Sequence, residues 1–216
     1  MTTHLTANPL DTGVDELERY ALEECVKRQR IDHRVSVLIV SDKRCEMAPK
    51  FAHLGADVVI ADFPEYAQEI NGRILASGLR EQIAYLPTTL KTLPEKLPGE
   101  PFDIIVIRRG VCGLTYPEAR EVLHGLKQRL RIGGKLYVSV LGLHSELGQG
   151  YAGAEQTIDR RFAPLAPALS DKYSIRQPVC LYTERNLFML LLEAGASVLL
   201  TLTTTYGNVK GIAVRV

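Results

Sequence analysis

No apolar run in this 216-residue sequence approaches the roughly 18 residues that a membrane span requires. The N-terminus also lacks a charged segment followed by an apolar one, the mark of a secretory signal. An excess of one charge sign is missing too. The 26 Lys and Arg are balanced by 25 Asp and Glu, so net charge draws the chain neither to nucleic acid nor to a membrane, and any such contact must come from a local patch. Cys25, Cys45, Cys112 and Cys180 stand far apart, with no C-x-x-C and no histidine at zinc spacing. That pattern excludes a zinc module, leaves no metal site to expect, and fits buried thiols in a reducing compartment better than a disulfide framework. A G-x-S-x-G elbow and a Walker loop are absent as well. With 46% apolar and 24% charged residues, what remains is an ordinary globular chain, expected in the cytoplasm, long enough for one well-packed domain.

The informative stretch is 34–64, RVSVLIVSDKRCEMAPKFAHLGADVVIADFP. Residues 35–40 form an unbroken, β-branched apolar run that predicts a buried strand. After a polar loop at 41–45, a short helix is expected over 46–54, with Pro49 in its opening turn, where a missing N–H costs nothing, and Gly55 as its stop. A second buried strand at 58–61 ends on Asp62. This β-α-β unit places an acid at the tip of its second strand, about 20 residues past the first loop, beside the crevice where open parallel sheets bind ligands. A carboxylate there suits a ribose diol; it could equally cap a helix before Pro64.

The rest alternates between strand and helix. A helix over 14–30, capped by Asp11 or Thr12, forms an N-terminal extension across residues 1–33, its far cations Lys27, Arg28 and Arg30 suiting the helix dipole. Further helices are expected at 64–77, stopped by Gly78, and at about 115–130, opened by the capping-box pair Thr115 and Glu118 and broken by Gly133-Gly134. A last helix, over 187–194, is capped by Thr183 and ended by Gly195. Strands are expected at 82–86, 102–107, 135–141, 197–204 and 209–216. The last two are joined by Tyr206-Gly207-Asn208 as an antiparallel hairpin. Residues 87–101, with four prolines, read as loop, and 142–179 as a Gly-, Pro- and charge-rich insert. The expected architecture is an α/β, Rossmann-like three-layer sandwich: about seven strands, mostly parallel, closed by an antiparallel C-terminal hairpin.

The phrases LGADVVIADFP, FDIIVIRRG, LKQRLRIGGKLYVSV and LYTERNLFMLLLEAGASV, in that order, give the chain from Arg34 to Val216 a resemblance to class I S-adenosylmethionine-dependent methyltransferases. The resemblance implies S-adenosylmethionine as cofactor. It implies contacts to that cofactor from the first loop (Ser41, Asp42, Lys43) and from Asp62 and Phe63, Arg108 and Arg109 near the transferred methyl group, and substrate recognition by the insert. In that insert, His144 and Glu146 could serve as general base and orienting acid, and Gly142, Gly148, Gly150 and Gly153 could let it move as a lid. The insert also holds Tyr151, Arg160 and Arg161, and Tyr173, Arg176 and Tyr182 could line the same mouth or merely cover the sheet edge. Where the family carries a G-x-G-x-G run, this chain reads Ser41-Asp42-Lys43-Arg44-Cys45. Without glycine, positive φ and close backbone approach are both costly. Lys43 and Arg44 could instead meet a carboxylate or phosphate, or form a solvated turn, and Ser41-Asp42, like Ser170-Asp171, reads as a cap or a turn. Two functions follow: methyl transfer to an unidentified acceptor, or a catalytically silent module of the same fold that binds a protein or nucleic acid partner. An enzyme using another nucleotide is a third.

Overall fold

The computed structural model describes residues 16–30, 33–97 and 99–216; the expected caps Asp11 and Thr12, and Val14, lie outside them. Helix α1 (Glu16–Arg28) precedes strand β1 (Ser36–Val40), short helix α2 (Ala48–His53), β2 (Asp57–Asp62), α3 (Ala67–Ser77) and β3 (Ile83–Pro87). A single helical turn, α4 (Leu93–Lys96), leads to β4 (Phe102–Arg108), α5 (Tyr116–Gln128) and β5 (Leu130–Val140). Helices α6 (Pro167–Tyr173) and α7 (Glu184–Glu193) and the hairpin of β6 (Ser197–Thr203) and β7 (Val209–Val214) complete the chain. The strands form one sheet in the order β3-β2-β1-β4-β5-β7-β6. The first five are mutually parallel, and β7 runs antiparallel to both β5 and β6.

Alternation along the strands separates two apolar layers. Val37, Ile39, Ile104 and Val106 face α1, α2 and α3, where Leu17, Phe51 and Ile70 pack on them. Leu38, Val40, Ile105 and Ile107 face α5 and α7, represented by Leu123, Leu126, Leu187 and Leu190. Every apolar residue from Phe102 to Ile107 is buried, as the unbroken apolar run required.

Several element ends shift from the sequence reading, and three features stand out. Pro64 starts a 3-10 turn, Pro64–Tyr66, and the α-helix begins only at Ala67. Helix α5 stops at Gln128 and β5 starts at Leu130, so Gly133-Gly134 lies within the strand instead of breaking the helix. The pair forms an irregularity: Phe102 sits opposite Leu130 and Ile104 opposite Lys135. Gly133 takes φ 76°, and a Cβ on Gly134 would stand 2.8 Å from the Arg131 carbonyl. Third, Arg28 turns away from the helix end toward acids. Its Nε meets Glu24 at 2.6 Å and its Nη1 stands 3.6 Å from Asp103, while Lys135 Nζ donates to Glu24 at 2.6 Å. These pairs, with Leu17, Ala21 and Cys25 in the core, fasten α1 to the sheet.

Candidate functional site at the carboxyl edge of the sheet

β1 and β4 lie side by side and point the same way, yet the chain leaves them toward opposite faces. Such a switch point opens a crevice at the carboxyl ends. The loop after β1 bends sharply there, with Ser41 at φ 67° and Cys45 at φ 51°. Each non-glycine residue in that region costs about 1–2 kcal/mol. Asp42 offsets the cost. Its carboxylate accepts the amides of Glu46 at 3.2 Å, Met47 at 3.2 Å and Ala48 at 3.0 Å, supplying acceptors for the orphan donors at the start of α2. Asp42 is therefore buried under α2, its carboxylate closing the start of that helix. Burial pushes its pKa up to about 6, against the pull of those amides and of Arg108. Arg108 continues the alternation of Ile104 and Val106 and so points to the face that holds Asp42; Arg109 leaves the strand at φ 60°.

Asp62 ends β2 at the wall of the crevice and is 6% exposed. Its backbone is held from β3: the Thr88 amide donates to the Asp62 carbonyl at 2.9 Å. The Tyr85 hydroxyl donates to the Phe63 carbonyl at 2.7 Å and lies 3.2 Å from that of Asp62. Its Oδ1 accepts the Phe63 amide at 2.8 Å, at the entry to the turn that begins at Pro64. Burial raises the Asp62 pKa; the Phe63 amide and Lys43 oppose that, and Glu65 adds to it. Lys43 reaches across from the β1 loop, its Nζ 4.0 Å from the Tyr66 ring centre and 3.6 Å from Glu69. Phe63 is exposed and meets Tyr66 edge to face at 6.2 Å.

The cleft in front of Asp62 encloses about 40 Å³, with Ser41, Phe63, Thr88, Leu90 and Gly110 among its walls. A Cβ on Gly110 would stand 3.3 Å from both Ser41 Oγ and Leu90 Cδ2, so the glycine makes room for those two side chains. Of the expected ligands, Ser41, Asp62 and Phe63 line this cleft, Lys43 crosses beside it, and Asp42 is turned away. Thr88, Leu90 and Tyr85 were not foreseen. Their signal was positional: β3 ends level with β2, so the residues just after it lie at the same crevice.

The insert is a packed wall. Leu143 donates to the Tyr182 carbonyl at 2.8 Å and Tyr182 to that of Leu141 at 2.9 Å, which closes its two ends on each other. Glu146 accepts Lys172 Nζ at 2.6 Å and the Tyr173 hydroxyl, so it is committed to α6, while His144 is exposed. Among the described residues, the partners of the Glu146 carboxylate are thus Lys172 and Tyr173, not His144. The lid reading changes too. A Cβ on Gly142 would fall 1.6 Å from the Gly207 carbonyl oxygen, one on Gly148 1.8 Å from that of Leu143, and one on Gly153 2.8 Å from the Tyr151 ring. These glycines serve close packing. Arg161 and Tyr151 tie the insert together: Arg161 Nη1 donates to Asn186 Oδ1 at 2.9 Å, and the Tyr151 hydroxyl donates to the Val179 carbonyl at 2.6 Å. Tyr182 lies in the core and Arg176 is exposed. Among the described residues no His, Cys, Asp and Glu cluster could hold a metal, and no helix is long and apolar enough to cross a membrane.

No protein-family model matches the chain, and no curated protein matches it in sequence. Solved structures do match in fold. The glycopeptide N-methyltransferase MtfA, crystallised with S-adenosyl-L-methionine, aligns with TM-score 0.63 at 15% identity over 92% of this chain and 94% of its own. An O-methyltransferase family protein from Burkholderia thailandensis aligns with TM-score 0.62 at 14% identity, over 92% of this chain and 56% of its own. An O-methyltransferase family 2 protein from Planctomyces limnophilus, in complex with apigenin, gives TM-score 0.60 at 13% identity, over 93% and 60%. The chain spans little more than half the length of several of these structures, 55% in one case. The likeness is one of architecture: the chain has the class I methyltransferase fold.

Proposed function

We propose that the protein binds a nucleoside at the carboxyl edge of its sheet and acts as an S-adenosylmethionine-dependent methyltransferase on an unidentified acceptor. The observation that carries this reading is Asp62, buried at the tip of β2, fixed by Tyr85 and Thr88, and facing the cleft. The residues fit the nucleoside half of the cofactor. On this reading the Asp62 carboxylate accepts the ribose hydroxyls and Phe63 offers a ring to the base, with Thr88 in the same cleft wall. The methionine half meets the side chains of Ser41 and Leu90 over Gly110, where the cleft holds about 40 Å³, room for a few water molecules. On this reading, entry of the methionine half moves Leu90 off Gly110. When bound, the cofactor supplies an electrophilic methyl group on a sulfonium. The chain's part is to hold donor and acceptor in line, a source of several kcal/mol of rate enhancement in general. His144, without a carboxylate to orient it, is the candidate proton acceptor, and Arg108 the candidate for an anionic acceptor group.

The filled floor of the cleft favours one second reading, a scaffold of the same fold without methyl transfer that binds a protein or nucleic acid. Calorimetry separates the two. Micromolar binding of S-adenosylmethionine and S-adenosylhomocysteine, weakened at least tenfold by Asp62→Ala, supports the enzyme; no heat at millimolar ligand leaves the scaffold. A nucleic acid partner would announce itself by affinity that falls steeply with salt.

A further inference from the structure

On the face of the sheet that carries α1, α2 and α3, the apolar layer gives way to a polar row at the carboxyl end. Val106, Tyr137 and Ile212 lie side by side in that layer, on β4, β5 and β7. One step further toward the carboxyl end of β5, Arg108 stands opposite Ser139 and Ser139 opposite Lys210. Alternation puts all three on the same face as the apolar layer below them. Ser139 is 7% and Lys210 5% exposed, while Arg108 is half-buried, so the row is more open at β4 than at β7.

The row gathers charge of one sign. Lysine is seldom buried so deeply, and the acid that β4 to β7 carry, Asp103, lies at the opposite end of the strands beside His33 and Ser36. The charge of Arg108 reaches Asp42, but that carboxylate is engaged by three amides of α2. Arg108 and Lys210 take part in further interactions within the chain; what singles them out is placement, not a want of partners. Neighbouring strands lie about 4.8 Å apart, so the two side chains start about 10 Å from each other with the Ser139 hydroxyl between them. A guanidinium fork, a hydroxyl and an ammonium at that spacing make a donor set for a carboxylate or a phosphate. The row also adjoins the cleft: Arg108 is two residues from Gly110, which lines it, and the row runs from there toward β7, away from Asp62.

We propose that this row is an anion-binding site, in which Arg108 and Lys210 hold a carboxylate or phosphate group between them and Ser139 donates its hydroxyl to it. Its assignment to the methyl acceptor rests on the methyltransferase reading of the adjoining cleft. On that reading the acceptor is an anionic small molecule, its charged group seated over β5 and the atom to be methylated turned toward the cleft. An uncharged acceptor gains nothing from the two cations, which makes the row a determinant of specificity.

Thermal melts of the full chain test this, with inorganic phosphate and benzoate as probes and sodium chloride holding the ionic strength constant. At about 20 mM, at least one probe should raise Tm by about 3 °C or more, as a millimolar site would. Phosphate alone acting would assign a phosphorylated ligand, benzoate alone a carboxylate. The rise should vanish in Arg108→Met and in Lys210→Met and persist in Lys210→Arg, which keeps the charge. Each variant is compared with its own ligand-free melt, so one that is merely less stable still reports. No rise with either probe beyond that of chloride, or an equal rise in the wild type and both Met variants, would overturn the proposal. Binding of S-adenosylhomocysteine to the wild-type chain is read separately. If it binds and neither anion does, the anion site falls and the nucleoside reading stands; if the anion rise is seen without it, the anion site stands and its assignment to a methyl acceptor falls.

Discussion

Asp62 combines two properties that pull against each other. It must be ionised to accept hydrogen bonds from a diol, and burial raises its pKa. The ionised form is therefore lost on acidification sooner than for an ordinary aspartate. Affinity for S-adenosylhomocysteine should fall on acidification, beginning at a higher pH than an unperturbed aspartate would give, and in Asp62→Asn the affinity should be low and flat over the same range. Lys43 opposes the rise, so Lys43→Ala should move the midpoint of the loss toward neutral pH; calorimetry at a series of pH values reads both. The four thiols are buried, and burial pushes Cys25, Cys45 and Cys180 up to about 11 and Cys112 to about 12. With so little thiolate present, a disulfide reagent at pH 8 should react at least a hundredfold more slowly with the folded protein than with the chain in denaturant. At this scale Asp62 was legible, because its strand-end position is written in the hydrophobic pattern. The cap formed by Asp42 was only half legible: the Ser-Asp pair signals a turn, but nothing local says that three amides of α2 close on it.

The elements were mostly visible in the sequence, for reasons that hold locally: unbroken apolar runs for buried strands, glycines at positive φ after α3 and α7, and both halves of the capping box at Thr115. The glycines of the insert misled, since close approach and mobility leave the same letter in a sequence, and only the neighbouring backbone tells them apart. Gly142→Ala tests the packing account. A methyl 1.6 Å from the Gly207 carbonyl oxygen cannot be accommodated, and the expected loss is about 3 kcal/mol or more, a fall of roughly 6–12 °C in Tm for a chain of this size. A mobile lid would tolerate the change. For α1 the test is Glu24→Gln. Burial raises the Glu24 pKa, but the bonds from Lys135 and Arg28 outweigh it and hold the carboxyl below its ordinary 4.5. Its contribution is complete above that value and is lost as pH falls through the lowered one. The variant should be less stable near pH 7 by about 3 kcal/mol, and the difference should shrink on acidification below about pH 4.5, as urea titrations at several pH values would show.

At the scale of the whole molecule, seven strands, the order of the β-α-β units and the antiparallel hairpin give a methyltransferase architecture at 13–16% identity to its structural neighbours. Such architecture carries many chemistries. Under the proposed function the chemistry is decided by a cleft with Asp62 in its wall and a floor filled by Ser41 and Leu90 against Gly110. That meeting of β1, β3 and β4 loops comes from residues dozens of positions apart, so no window of the sequence could display it. A crystal structure grown with millimolar S-adenosylhomocysteine tests the central claim most directly. The account predicts ribose hydroxyls within hydrogen-bond distance of the Asp62 carboxylate, with Leu90 displaced from Gly110. Ligand bound elsewhere, or no ligand and Leu90 still seated on Gly110, would contradict it.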